Sequence, residues 1–263
     1  MSKVLLNIDA RGVATATVNR PEIGNAYDEE MLGQLANGLD QLAGNAAVRA
    51  LVIRGAGKNF LAGADVSWLR RAAGYGPREA YAASIATTRT MARLNEFPKP
   101  TIAIVHGACF GGGCGLVCAV DVALATPAAS FGLTEVRVGV APTPISTHMV
   151  HAMGLRQARR YAITGERFDA AEAQRIGLVH EVVPADEIEA RLDAVLDAIF
   201  LSAPGAITVT KHSLLGATGE ILDERQIALL AHESWMQRAT AEGHEGLAAF
   251  AEKRKPSWYR PRP

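Results

Sequence analysis

Two glycine-rich stretches, residues 55–65 and 107–113, each follow a short apolar run and precede a helical pattern. A strand-to-helix turn of this kind leaves the first N–H groups of the helix without partners at the positive end of its dipole. One such turn can take a phosphate. Two that converge can aim two N–H groups at a single oxygen and stabilise an oxyanion. Glu135, following Phe131-Gly132, supplies a carboxylate able to move a proton. Residues 107–113 do not spell G-x-G-x-x-G, and no Gly-Lys-Ser/Thr follows either stretch, so dinucleotide and P-loop patterns are excluded. Taken singly, either turn also suits tight packing of strand against helix.

Other reactive residue types have plainer readings. Cys109, Cys114 and Cys118 fall within ten residues with no second cluster facing them, which fits neither a disulfide framework nor a paired zinc motif. Cys114 and Cys118, four apart, share a helix face as small packing residues. Asp65 stands where an acid stabilises a helix start, a structural role ahead of any ligand contact. His148 and His151 follow a loop closed by Pro142 and Pro144, within reach of the same region, and read first as ordinary polar residues. No metal ligand set is expected.

The elements that must position these groups follow from periodicity. Residues 4–8 and 13–18 alternate as strands about a turn at 9–12. Asp28 caps a helix whose apolar face is Met31, Leu32, Leu35, Leu39 and Leu42. A strand at 48–54 leads through the first glycine-rich stretch to a helix near 66–69. The pattern then repeats: a polar helix over 77–97, a strand at 101–105, the second glycine-rich turn, and a helix from Cys114. Another strand opens at Asp121, and Ser130 begins a loop. Asp169 with Glu172 starts a short helix ended by Gly177, a small strand spans 178–183, and the chain beyond 185 is helical with a break at Pro204. The expectation is an α/β body over residues 1–200 and a helical segment over 201–263 that packs on the body or on a neighbour.

The 263 residues are 49% hydrophobic, enough for one large core, and Lys plus Arg equals Asp plus Glu at 27 each. Such balance gives no field for nucleic acid or an anionic membrane. The N-terminal residues lack a signal-peptide core and no apolar stretch is long enough to span a bilayer, so the expected location is cytoplasmic.

In order along the chain, Phe60-Leu-Ala-Gly-Ala-Asp-Val, Gly107-Ala-Cys-Phe-Gly-Gly-Gly-Cys and Phe131-Gly-Leu-Thr-Glu resemble the enoyl-CoA hydratase/isomerase (crotonase) superfamily. The resemblance continues through Thr164-Gly-Glu-Arg-Phe-Asp-Ala-Ala-Glu-Ala and Gly177-Leu-Val to Phe250-Ala-Glu-Lys-Arg-Lys-Pro, nearly the whole chain. It implies a spiral of ββα repeats with a C-terminal helical trimerisation segment, assembled as a homotrimer or a dimer of trimers. It also implies an acyl-CoA thioester as substrate, with no further cofactor. By resemblance, the N–H groups of Ala64 and Gly112 form the oxyanion hole and Glu135 is catalytic. Residues 62–66, including Ala62, Ala64, Asp65 and Val66, line the adenine side of the CoA site. Asn25-Ala26-Tyr27 matches an early CoA-contacting segment, and Lys253 meets the CoA phosphates, in its own or an adjacent subunit.

One departure bears on mechanism. Hydratases of this superfamily carry two glutamates, and at the first position this chain has Gly115. A glycine there costs about 1 kcal/mol of helix propensity relative to alanine, so something else placed it. One expectation is room for a branched or bulky acyl chain. This accords with the likeness of Glu135-Val-Arg-Val-Gly-Val-Ala-Pro and Ile145-Ser to methylglutaconyl-CoA hydratase-like members. Three activities remain open: hydration of a 2-enoyl-CoA, isomerisation using one carboxylate, and acyl-CoA binding without turnover.

Overall fold

A computed structural model describes residues 2–258. Strands β1 (Val4–Ile8) and β2 (Val13–Val18) form an antiparallel hairpin. Its turn is held by Asp9 Oδ1, which accepts from the N–H groups of Arg11 and Val13, both at 2.9 Å. Helix α1 (Glu29–Gly44) starts where Asp28 accepts from Met31 N at 2.9 Å, and it buries the five apolar residues anticipated from the spacing. Strand β3 (Ala50–Gly55) pairs parallel with β2. After it come α2 (Val66–Ala72), α3 (Pro77–Asn95), β4 (Thr101–Val105), β5 (Ala108–Phe110) and α4 (Gly112–Cys118). The chain continues through β6 (Val122–Ala125), β7 (Ser130–Gly132), a 3-10 turn at Glu135–Val138 and α5 (Ser146–Thr164). Then follow β8 (Arg167–Asp169), α6 (Ala170–Arg175), β9 (Glu181–Val182) and α7 (Ile188–Phe200). The C-terminal helices are α8 (Pro204–Thr218), α9 (Glu224–Arg238) and α10 (Ala241–Ala251).

The main sheet runs β1-β2-β3-β4-β6-β9, parallel from β2 onward, and the small sheet runs β5-β7-β8. Both faces of the main sheet are covered, as a parallel sheet requires. Leu51, Ile53, Ala103 and Val105 face the core with α1, whereas the alternate residues Ala50, Val52, Ile102 and Ile104 pack under Ile188, Leu192 and Leu196 of α7.

The repeat is visible in the pairing. Each main strand turns into a short second strand: β3 into Leu61, β4 into β5, β6 into β7. Leu61 bridges Cys109 in parallel, and Cys109 in turn pairs with Phe131. Three successive turns, ending near Ala64, Gly112 and Glu135, are thereby stacked at one end of the molecule. Two boundaries differ from the sequence expectation. Residues 130–132 form a strand, because three residues are enough to bridge β5 and β8 but too few to show a period. The expected strand over 178–183 narrows to the two residues of β9.

The C-terminal helices do not share one environment. Helix α9 lies along α3, and α10 closes against α2 and the 135–138 turn. Helix α8 buries none of its residues; it is tied down by Thr208 Oγ1 donating to Pro98 O at 2.7 Å and by Lys211 with Asp121 at 2.9 Å.

Candidate active site

The three stacked turns open onto one cavity of about 140 Å³. Its floor comes from Ala62, Gly63, Ala64, Gly111, Gly112 and Glu135; Tyr27 and Trp68 form one side, and Ser234, Arg238 and Phe250 close it from the C-terminal helices.

Backbone direction at the first turn is set by Tyr27. Its N–H donates to Gly63 O at 2.9 Å and its carbonyl accepts from Asp65 N at 2.9 Å, so the intervening N–H of Ala64 belongs to neither bond. At the second turn Gly111 has φ 54 and ψ −120, a conformation that only glycine takes readily, and it hands the chain to Gly112 as the first residue of α4. A first-turn N–H has no intrahelical acceptor. Among the described residues neither the Ala64 N–H nor the Gly112 N–H donates to a protein acceptor. Tyr27 also packs so closely that a Cβ on Gly112 would lie 2.7 Å from its ring.

Glu135 begins the third turn, its carboxylate laid against Gly111, where an added Cβ would meet Oε1 at 3.0 Å. Its Oε2 is sealed from solvent and has no hydrogen-bond partner among the described residues. Burial pushes the carboxyl up to about 7, against a weaker opposing pull from its own N–H. The Tyr27 phenol is pushed up as well, by desolvation first and then by Glu135.

The cavity brings together Ala62, Ala64, Gly112 and Glu135. The other named residues lie outside it. Asn25 is fully buried at φ 61, where Oδ1 accepts from Arg20 N at 2.9 Å and Nδ2 donates to Ala56 O at 2.8 Å and Asn59 O at 2.6 Å. Its side chain is thus spent on holding the loop before Tyr27, the residue of this segment that lines the cavity. Ala26 is buried beside it. Asp65 caps α2 through Ser67 N at 2.7 Å and pairs with Arg20 at 2.7 Å. Burial works against its ionisation, but the Arg20 and Ser67 bonds prevail and hold the carboxyl below its ordinary value. Val66 points outward, and Lys253 is exposed at φ 55 just beyond α10.

The histidines stay away from the cavity. His151 pairs with Glu220 at 3.0 Å, while His148 is 1% exposed, has no partner for either ring nitrogen among the described residues, and is pushed down to about 4 by burial, then by His151. The three cysteines are free and buried; burial raises the thiols of Cys109 and Cys118, consistent with inert packing groups.

Gly115 does not leave a void. A Cβ there would meet Ile145 Cγ2 at 2.5 Å, so the room a glutamate would need is filled by isoleucine, which itself lines the cavity. The expectation of added space for a bulky acyl chain is corrected accordingly: the wall is apolar, not open. Residues that sequence reasoning did not single out include Trp68, Ser84, Thr87, Ser234 and Arg238. Their one signal is a run of small hydroxyl residues, Ser84, Thr87, Thr88 and Thr90, on the buried side of α3.

A family model described as enoyl-CoA hydratase/isomerase matches residues 9–261. The 2,3-dehydroadipyl-CoA hydratase of Escherichia coli is 32% identical over 98% of this chain and 99% of its own. Among solved structures, an enoyl-CoA hydratase from Shewanella pealeana is 36% identical with TM-score 0.80, covering 97% of this chain and 96% of its own. One from Mycobacterium avium is 34% identical with TM-score 0.86, covering 98% and 100%. Stacked strand-to-helix turns opening on one carboxylate-bearing cavity thus coincide with full-length similarity, and the chain belongs to the enoyl-CoA hydratase/isomerase family of the crotonase superfamily, as an enzyme of that family.

Proposed function

We propose that the chain hydrates a 2-enoyl-CoA. The N–H groups of Ala64 and Gly112 receive the thioester oxygen as negative charge develops on it; Glu135 delivers a proton to the α-carbon, the oxygen of water bonds to the β-carbon, and the proton that water loses returns to the Glu135 carboxylate. One observation carries this reading: two partnerless N–H groups and a desolvated carboxyl shifted to about 7 share one cavity. A carboxyl poised there is protonated and ionised in comparable amounts near neutral pH, which suits a group that must give and regain a proton.

Residues 62–66 would border the CoA moiety, with Lys253 near its phosphates. The sequence likeness around Glu135 favours a branched, methylglutaconyl-CoA-like substrate. The helical segment 201–263 would support a homotrimer or a dimer of trimers, in the cytoplasm, without a separate cofactor. A second reading, enoyl-CoA isomerisation, is favoured by Ile145 standing where a second carboxylate would be needed. One carboxylate can carry a proton across a conjugated system.

The test is a paired assay of wild type and Glu135→Gln with crotonyl-CoA, 3-methylglutaconyl-CoA and a 3-enoyl-CoA, following conjugated-thioester absorbance and product mass. Hydration that falls by about a hundredfold or more in the variant supports the first reading. Double-bond migration without addition of water supports the second. Bound thioesters that never turn over would sink both.

A further inference from the structure

Arg238 is a cation that the chemistry above does not use. It ends α9 and reaches under α3, where Nη2 donates to Ser84 Oγ at 3.0 Å and Ser234 Oγ at 3.4 Å. Both serines are buried, at 1% and 2% exposure. Its Nε and Nη1 are sealed from solvent and have no hydrogen-bond partner among the described residues. Among the described residues no carboxylate bonds to it: Glu29 acts on it only across space, and burial pulls the group below its ordinary value. A guanidinium with two donors sealed from water and idle is costly unless an anion completes it.

Its placement says where that anion would come from. Arg238 lines the same cavity as Glu135. Among the described residues no hydrogen bond or ion pair joins the two, and Arg238 also lines a neighbouring cavity that none of Ala64, Gly112 and Glu135 reaches. The cavity lining therefore holds two sets of unpartnered polar groups, the carboxyl with the free N–H groups and the guanidinium, among apolar residues that include Leu69, Ile145 and Phe250. The second cavity, of about 100 Å³, lies beside Tyr75 and His244. A thioester whose oxygen sits at Ala64 and Gly112, with its acyl tail running toward that second cavity, would bring the end of the tail to Arg238.

We infer that Arg238, anchored by Ser84 and Ser234, receives a carboxylate at the distal end of the acyl chain, so that the substrate class is the mono-CoA thioesters of unsaturated dicarboxylic acids. This rests on the acyl-CoA reading of the site. A neutral tail leaves the guanidinium unpaired, whereas a carboxylate exchanges its hydration for charge-assisted hydrogen bonds. Discrimination of that kind is strong because the wrong ligand leaves a buried polar group without a partner.

The test is calorimetric binding of unreactive saturated thioesters in matched pairs, glutaryl-CoA with pentanoyl-CoA, adipyl-CoA with hexanoyl-CoA and suberyl-CoA with octanoyl-CoA, and of free CoA. Wild type, Arg238→Met, Arg238→Lys and Ser84→Ala are compared, each checked for a cooperative thermal melt. Wild type should favour the carboxylated member of at least one pair by about tenfold to a hundredfold. That ratio should collapse toward one in Arg238→Met, return in part in Arg238→Lys, and fall less in Ser84→Ala, which keeps the guanidinium and removes one anchor. Should Arg238→Met fail to melt cooperatively, the Lys and Ser84 variants carry the same comparison. A wild-type ratio of one or less in every pair overturns the inference, as does a ratio untouched in Arg238→Met even where both affinities drop. Equal weakening of free CoA and all thioesters would assign Arg238 to the CoA moiety and overturn it too. If hexanoyl-CoA and free CoA also fail to bind wild type, the acyl-CoA reading itself falls with the inference. Good hexanoyl-CoA binding without a carboxylate preference leaves that reading standing alone.

Discussion

At Glu135 the two readings of the chemistry part company over pH. A carboxyl shifted to about 7 delivers a proton only in its protonated form, so hydration should slow as pH rises through 7. Isomerisation begins with abstraction by the ionised form and should quicken over the same range. A kcat/KM profile from pH 5.5 to about 8.5 separates them. The same shift affects folding. The folded protein keeps a proton that the unfolded chain releases between the ordinary carboxyl value of 4.5 and about 7, so this group's contribution to stability declines as pH rises through that window. Glu135→Gln should therefore melt above wild type at pH 8, by up to about 3 kcal/mol, with the difference vanishing near pH 4.5. That carboxylate and the two N–H donors were legible because their motifs are local and ordered along the chain. Arg238 was not, since it meets Ser84 across 154 residues through helix packing that no short pattern encodes.

Helix starts and the loop before Tyr27 hold the site together at the scale of elements. Arg20 bridges the caps of α1 and α2: its Nη2 lies 3.2 Å from Asp28 and 2.7 Å from Asp65, all three side chains at most 13% exposed. Arg20→Met would leave Asp65 shielded and without its cation, while Asp28 keeps Lys3 at 2.6 Å, with an expected loss of about 3 kcal/mol in urea unfolding and a lower kcat, because Asp65 adjoins Ala64. Wild-type kcat in that variant would show that Ala64 is held by the Tyr27 bridge alone. In α5, His148 offers the opposite case, a polar ring with no hydrogen-bond partner among the described residues. Its value near 4 lies below the ordinary 6.5, so its neutral burial costs stability as pH falls between those values. His148→Leu should stabilise by about 1 kcal/mol at pH 7 and by more at pH 5, read from thermal melts. Asp28 and the apolar stripe of α1 were readable in advance because capping and a 3.6-residue period are strong local signals. Strand β7 was not, since it exists only by pairing with β5 and β8.

For the whole molecule, the C-terminal helices both complete the cavity and leave surface to be covered. Helices α9 and α10 supply Ser234, Arg238 and Phe250 from the same chain. The α7–α8 region exposes Leu201 at 91%, Val209 at 70% and Leu214 at 64%. The proposed trimer would cover such a face. Light scattering should give three or six times the chain mass, and Val209→Asp should lower it; a wild-type monomer would sink the assembly proposal. Helicity of this segment was plain from sequence, but its division into a lid and an outward face depends on where α3 lies, which sequence alone does not place.

The filling of the Gly115 position by Ile145 has an evolutionary consequence. Installing a glutamate at 115 first drives it into isoleucine at 2.5 Å; shrinking Ile145 first opens a hole in the core at a cost of roughly 2–5 kcal/mol. Each single step is expected to be harmful and the pair compatible, which would be reciprocal sign epistasis. A lineage in this state is held on its side of a fitness valley. Gly115→Glu should rescue Ile145→Ala rather than compound it, and additive losses in the double variant would show that the valley is absent.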